Sequence, residues 1–265
     1  MSKKVAIVTG GTSGIGRATA LALQERGYTV YELSRRAEGM PDIRHIVADI
    51  TKEETLQAAV EQVLAVEGRL DLVVNNAGFG ISGAIEFTDT QEAQRLFDTL
   101  FFGMVRMNRC VIPLMRQQGH GRIVNISSVA APVPIPFQAY YSAGKAAINA
   151  YTMALANELR PFGVTVCAVM PGDIKTGFTA ARHKIIDGDD IYQGRIGRSV
   201  QRMEHDEQPG MDPAKVGRYI AAVASREGSH HPLYATRIDY KFFVFLTKVL
   251  PARFLNWLIY QLYGK

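Results

Sequence analysis

Short apolar runs alternate along the chain with longer stretches of helical period. The runs at 5–8, 29–33, 44–48, 70–74, 121–126 and 164–170 are rich in β-branched residues, as in strands buried on both faces, and 233–236 is a weaker seventh. Between them the spacing predicts helices over 14–25, from Thr51 onward, over 90–117, over 140–160 and after Asp212. Thr51-Lys52-Glu53-Glu54 reads as a capping box, with Leu56, Val60, Val63 and Leu64 on one face behind it. Asp212-Pro213 reads as an N-cap followed by proline at the first helical position. Strand–helix–strand units repeated in this way predict an α/β fold: a doubly wound, three-layer sandwich around a mostly parallel seven-stranded sheet.

Two segments break the alternation. Residues 173–211 are polar, charged and punctuated by glycine. A single domain over 1–265 is expected to carry them as an insertion at the carboxyl ends of the strands, where such sheets bind ligands. Residues 240–263 are rich in Phe and Leu, with Ile259, and hold the sole tryptophan, Trp257. Two short helices divided by Pro251 are expected there, burying their surface against the pocket, a subunit partner or a membrane face.

Composition narrows the class of partner. Hydrophobic residues are 47% and charged residues 21% of 265, the balance of an ordinary globular protein. The net charge is +5, with 16 basic and 15 acidic side chains in 1–172 and 14 and 10 in 173–265. No dense basic run accompanies this surplus, so nucleic acid is not an expected partner. Cys110 and Cys167 sit far apart in apolar stretches, without the spacing of a zinc site, and no metal is expected. Met1-Ser2-Lys3-Lys4-Val5 leads straight into a strand-like run, with no long apolar region or cleavage site. Lys248, Pro251 and Arg253 interrupt the most apolar stretch. A cytoplasmic location is therefore expected, with a membrane surface as a lesser reading.

The first strand runs into Thr9-Gly10-Gly11-Thr12-Ser13-Gly14-Ile15-Gly16 and then a helix. Glycines there let the backbone turn tightly, approach a pyrophosphate and pack helix on strand, while the helix N-terminus offers N–H donors. Asn75-Asn76-Ala77-Gly78 follows the fourth strand and Ser128 the fifth. Tyr141-Ser142-Ala143-Gly144-Lys145 opens the next helix, and Pro171-Gly172 ends the sixth strand. This set, in this order, resembles the short-chain dehydrogenase/reductase family in its single-domain, Rossmann-type form, over residues 5 to about 225.

The residues suit proton and hydride chemistry. Tyr141 and Lys145 are four apart and share a helix face. An ammonium beside a phenol favours the phenolate, and an oxidised nicotinamide adds to the effect. Ser128, at the top of a strand, can donate to a carbonyl oxygen. The resemblance implies tyrosine as proton donor or acceptor, serine as oxygen-positioning donor, and lysine on the nicotinamide ribose. It also implies cofactor contacts at Gly10, Thr12, Ser13, Gly14, Ile15 and Gly16, at Ser34 and Arg35, and at Asp49 and Ile50. Further contacts are implied at Asn76, Ala77 and Gly78, at Tyr141 and Lys145, and at Pro171, Gly172, Ile174 and Thr176. Tyr140 and Ser127 are expected to be packing residues.

Leu100 departs from the family. It stands where relatives usually carry a catalytic asparagine, thought to kink the helix and hold a relay water. Lower activity, or a water held by backbone carbonyls, is expected; Asn108, about two turns on, cannot substitute without a register change. Ser34 stands where an acidic residue would repel a 2′-phosphate, and Arg35 follows it, so NADP(H) is expected over NAD(H). Asp49 either contacts adenine or caps the helix near Thr51.

The substrate is expected to be a small-molecule carbonyl or alcohol. Residues 173–211 would form its lid, an amphipathic one with solvated charges at Arg182, His183, Lys184, Arg195, Arg198 and Arg202. Val133, Ile135, Pro136 and Phe137 would line an apolar pocket. The arrangement is similar to the hydroxysteroid and retinol dehydrogenase side of the family, which implies a lipophilic ketone or aldehyde. Helices 90–117 and 140–160 pair subunits in relatives, so a homodimer or homotetramer is expected. The alternatives are a non-catalytic dinucleotide-binding or sensing protein, and a peripheral membrane protein using the apolar tail.

Overall fold

The computed structural model describes residues 3–226 and 231–265; Met1 and Ser2, where the leaderless reading begins, lie outside the described residues. It runs through β1 (Val5–Thr9), α1 (Gly14–Glu25), β2 (Thr29–Ser34), β3 (Arg44–Val47), α2 (Glu53–Glu67) and β4 (Leu72–Asn75). The short β5 (Ile81–Ser82) precedes α3 (Thr90–Phe97), α4 (Gly103–Gln118), β6 (Gly121–Ile126), α5 (Ala139–Leu159) and β7 (Val164–Met170). Next come α6 (Phe178–Ala181), β8 (His183–Lys184), α7 (Arg195–Glu207) and α8 (Pro213–Ala224). The chain ends with β9 (Leu233–Ala235), α9 (Ile238–Val249) and α10 (Ala252–Ile259).

Seven strands form one sheet in the order β3-β2-β1-β4-β6-β7-β9. Every pair in it is parallel, with Ile7 of β1 opposite Tyr31 of β2 and Val73 of β4. β1 and β4 are buried along their whole lengths, which explains their continuous rather than alternating apolar runs. One face packs on α2, α4 and α5 through residues such as Val63, Met107, Met115 and Leu155. The other packs on α1 and α8 through Leu23, Val216 and Ile220. Gly217 lets those two helices touch: a Cβ there would lie 2.4 Å from the Ala18 backbone. The strand order reverses between β1 and β4, so the connections leave in opposite directions and open a crevice at the carboxyl ends.

Several expected boundaries shift. The helix expected over 90–117 is two helices joined by a π turn at Asp98–Phe102. The capping box does not form. Thr51 donates its amide and hydroxyl to Asp49 Oδ1, at 2.9 and 2.8 Å, so the cap position passes to Lys52, whose side chain caps nothing. Asp212 does cap, accepting from the Ala214 amide at 2.9 Å.

Segment 173–211 leaves and rejoins the body at one bridge, Ile174 to Met211. Between these ends β8 pairs with β5, outside the main sheet. The tail forms the two helices expected around Pro251, and α9 has no buried residue. Phe242, Phe245 and Trp257 are more than half exposed. Tyr240 instead turns inward, its ring occupying the space a Cβ on Gly172 would need, and its hydroxyl donates to Asp173 Oδ2 at 3.0 Å. Among the described residues no helix is long and apolar enough to cross a membrane.

Candidate active site

A cleft of about 970 Å³ lies over the carboxyl ends of β1 and β4. Its floor is the glycine turn. Gly10 and Gly14 hold left-handed φ values of 65° and 54°, which other residues adopt only under strain. A Cβ on Gly16 would sit 2.3 Å from the Gly10 carbonyl oxygen and 2.4 Å from Asn76 Nδ2. Gly16 therefore packs the helix onto the turn and does not face the cleft, unlike the rest of the expected cofactor set. Ser13 makes no side-chain cap, which leaves the first amides of α1 open to a ligand. Thr9 ties the two central strands together: its hydroxyl accepts from the amides of Asn76 and Ala77 at 3.0 and 3.1 Å. Asn76 Nδ2 answers by donating to the Thr9 and Gly10 carbonyls.

The end of β2 forms the rim. Ser34 Oγ is buried and faces the Glu32 carboxyl, and Arg35 and Arg36 stand exposed beside it. Glu32 is fully buried, faces His45 and lies outside the cleft; burial raises its carboxyl above the usual carboxylate range. Asp49 lines the cleft while also holding Thr51. Burial pushes its carboxyl up, but the Thr51 hydrogen bonds and nearby Arg35 and Lys52 hold it below the ordinary value. Open helix amides, a buried serine hydroxyl and guanidinium groups on the rim are donors of the kind that a dinucleotide's phosphates require. The residues present fit such a cofactor.

Ser128, Tyr141 and Lys145 all line the cleft. Lys145 Nζ lies 5.6 Å from the centre of the Tyr141 ring and donates to the Ile126 carbonyl at 2.7 Å. Ser127 borders the cleft as well, but its hydroxyl is engaged, donating to the Lys145 carbonyl at 3.1 Å. In the chain alone the expected lowering of the phenol does not occur. Burial pushes Tyr141 up to about 12, against a hydrogen bond from Ser128 and the nearby Arg182. Burial also drives Lys145 down to about 7, so at neutral pH the amine is charged only about half of the time and its pull on the phenol is weakened. At neutral pH the tyrosine is thus a protonated donor.

Leu100 lies in the π turn, 2% exposed, beside Gly78 and packed with Leu96, Ile81 and Ile185. The helix is irregular there although leucine cannot hydrogen-bond to the backbone. Asn108 lies outside the cleft, fully buried, where its Oδ1 accepts from Asn75 Nδ2 at 2.8 Å. Asn75 also reaches Asn125, which donates to Thr152.

The substrate end differs from expectation. Of the four apolar candidates only Ile135 lines the cleft. Phe137 has a φ of 60° and turns away to the Tyr192 ring at 5.6 Å. Phe178 packs 5.8 Å from the Tyr141 ring. Arg182, expected among solvated lid charges, has a side chain only 1% exposed and pairs with Glu207. Asp173, Met203, Glu207 and Tyr263 also line this end and were not singled out from sequence. Phe178 and Arg182 are four apart, a spacing that signals a shared face, whereas nothing local marks Tyr263.

Residues 4–185 match the family described as short chain dehydrogenase. A 3-ketodihydrosphingosine reductase from Bacteroides thetaiotaomicron is 38% identical over 261 residues, covering 97% of this chain and 94% of that protein. The crystal structure of a short-chain dehydrogenase from Streptomyces avermitilis is 34% identical, with a TM-score of 0.83 and 92% of each chain covered. ElxO, solved with NADP bound, is 25% identical with a TM-score of 0.75, covering 91% of this chain and 99% of its own. A further neighbour was solved with NADH.

Proposed function

The chain belongs to the short-chain dehydrogenase family, and from that premise we propose that it is an NADP-dependent reductase of a carbonyl on a lipophilic small molecule. The observation that carries the reading is the meeting of Ser128, Tyr141 and Lys145 in one cleft with the glycine turn. NADPH, when bound, supplies the hydride. Ser128 donates a hydrogen bond to the substrate oxygen and holds its developing charge. Tyr141, kept protonated by burial, gives its proton to that oxygen, and the same steps in reverse oxidise an alcohol. Lys145 positions the nicotinamide ribose and, once charged by its contacts there, restores the phenol's acidity.

The lipophilic substrate is supported by the 38% identical relative, whose name gives 3-ketodihydrosphingosine, and by Phe79, Ile135, Phe178 and Met203 along the cleft. The 173–211 segment acts as a lid on a single domain over 1–265. We also read the chain as a cytoplasmic homodimer or homotetramer; Phe102 and Met153, 50% and 44% exposed on the pairing helices and their junction, support this.

The cofactor choice is tested by dissociation constants for NADPH and NADH. A charge-assisted bond contributes about 1.5–3 kcal/mol, so Arg35→Ala is expected to weaken NADPH roughly 10- to 100-fold and barely affect NADH. Ser34→Asp is expected to shift preference further toward NADH. A wild type that already prefers NADH, or equal loss for both in Arg35→Ala, overturns the assignment.

A further inference from the structure

At the end of the cleft away from the glycine turn, Arg182 is buried and incompletely paired. Its Nη2 donates to Glu207 Oε1, while Nε and Nη1 are buried with no partner. A full fork would take both carboxylate oxygens, but Glu207 Oε2 is held by the Thr179 hydroxyl. Buried donors without acceptors are costly and rare in a folded protein unless something else supplies the acceptor. Arg182 lines the cleft and acts electrostatically on Tyr141, so an acceptor found there belongs to a molecule seated at the reacting centre.

Charge selects the kind of acceptor. Glu207 already balances Arg182, and Asp173 adds a second carboxyl to the same wall. Burial, with Glu207 and Asp206 nearby, raises the Asp173 carboxyl above its ordinary value against a hydrogen bond from the Tyr240 hydroxyl, so a cation beside it would favour its charged form; Asp206 is engaged by Arg202 and by the Tyr263 hydroxyl, each at 3.1 Å. A further anion would meet this carboxylate surplus. A neutral oxygen satisfies the arginine, and a cation satisfies the surplus. Resting on the reductase reading above, we propose that Arg182, Glu207 and Asp173 form a head-group subsite for an amino alcohol adjoining the reacting carbonyl. Arg182 donates to a hydroxyl oxygen and the two carboxylates face a protonated amine. The substrate class is a long-chain 2-amino-1-hydroxy-3-ketone.

The test uses NADP-loaded protein and a product-like probe, a long-chain 2-amino-1,3-diol, beside its N-acetyl and 1-deoxy analogues. Binding is measured by calorimetry, and turnover of the matching ketones is followed with NADPH. Wild type is expected to bind the amino diol at least about tenfold more tightly than either analogue, one charge-assisted contact being worth that much. Glu207→Gln is expected to abolish the preference over the N-acetyl analogue. Arg182→Lys, which keeps the ion pair and the fold, is expected to abolish the preference over the 1-deoxy analogue. A wild type indifferent among the three overturns the subsite, whatever its turnover. Selective binding without reduction of any ketone keeps the subsite and overturns the reductase reading instead.

Discussion

Burying Lys145 has a consequence that the free chain should show in its stability. The residue is 5% exposed, its amine donates to the Ile126 carbonyl, and its pKa falls from an ordinary 10.5 to about 7. Between those values the unfolded chain holds a proton that the folded chain lacks, so stability rises with pH across that window. Below pH 7 both states are charged and the whole penalty applies, on the order of 5 kcal/mol at ~1.36 kcal/mol per unit. Raising the pH from 7 to 9 relieves about 2 kcal/mol of it. That corresponds to a melting temperature higher by roughly 4–8 °C, at about 2–4 °C per kcal/mol. Lys145→Met keeps the length of the side chain and removes the charge. The assay is thermal melting of both proteins, without nucleotide, from pH 6 to 9. Subtracting the two curves cancels every other titrating group. The difference should favour methionine most at pH 6 and shrink as pH rises. Parallel curves would refute the burial argument and, with it, the claim that cofactor contacts must charge this lysine.

Two further substitutions probe the cleft's walls. Gly16→Ala places a Cβ 2.3 Å from the Gly10 carbonyl oxygen, and is expected to lower the melting temperature and weaken dinucleotide binding at least ~10-fold in a titration; an unaffected variant would mean the turn can open. Leu100→Asn buries an amide in an apolar cluster, so denaturant unfolding should show about 1–3 kcal/mol lost; a stabilised variant would show that a hydrogen-bonding partner is in place there.

The sheet was legible because strands buried on both faces leave an unmistakable mark: β1 and β7 are almost wholly β-branched or small. The glycine turn was legible because its backbone requires glycine at Gly10 and Gly14. Local rules failed where partners lie elsewhere in the chain or compete. Thr51 looked like a cap until Asp49 took its hydroxyl. The break at Asp98–Phe102 carries no proline or glycine inside the turn to announce it. Arg182 looked like a surface charge because its counter-ion, Glu207, is 25 residues away. The direction of the Tyr141 and Lys145 shifts depends on burial, and spacing along a helix reports proximity but not dielectric.

The central claim is that Tyr141 transfers the proton while the glycine turn holds the nucleotide. It is tested most directly by the rate of NADPH oxidation with a long-chain ketone, measured for wild type and Tyr141→Phe beside the dissociation constant of NADPH. The phenylalanine variant is expected to lose at least ~10²-fold in turnover, the usual scale of a general acid, with nucleotide affinity held within about twofold. A fully active phenylalanine variant would contradict the account.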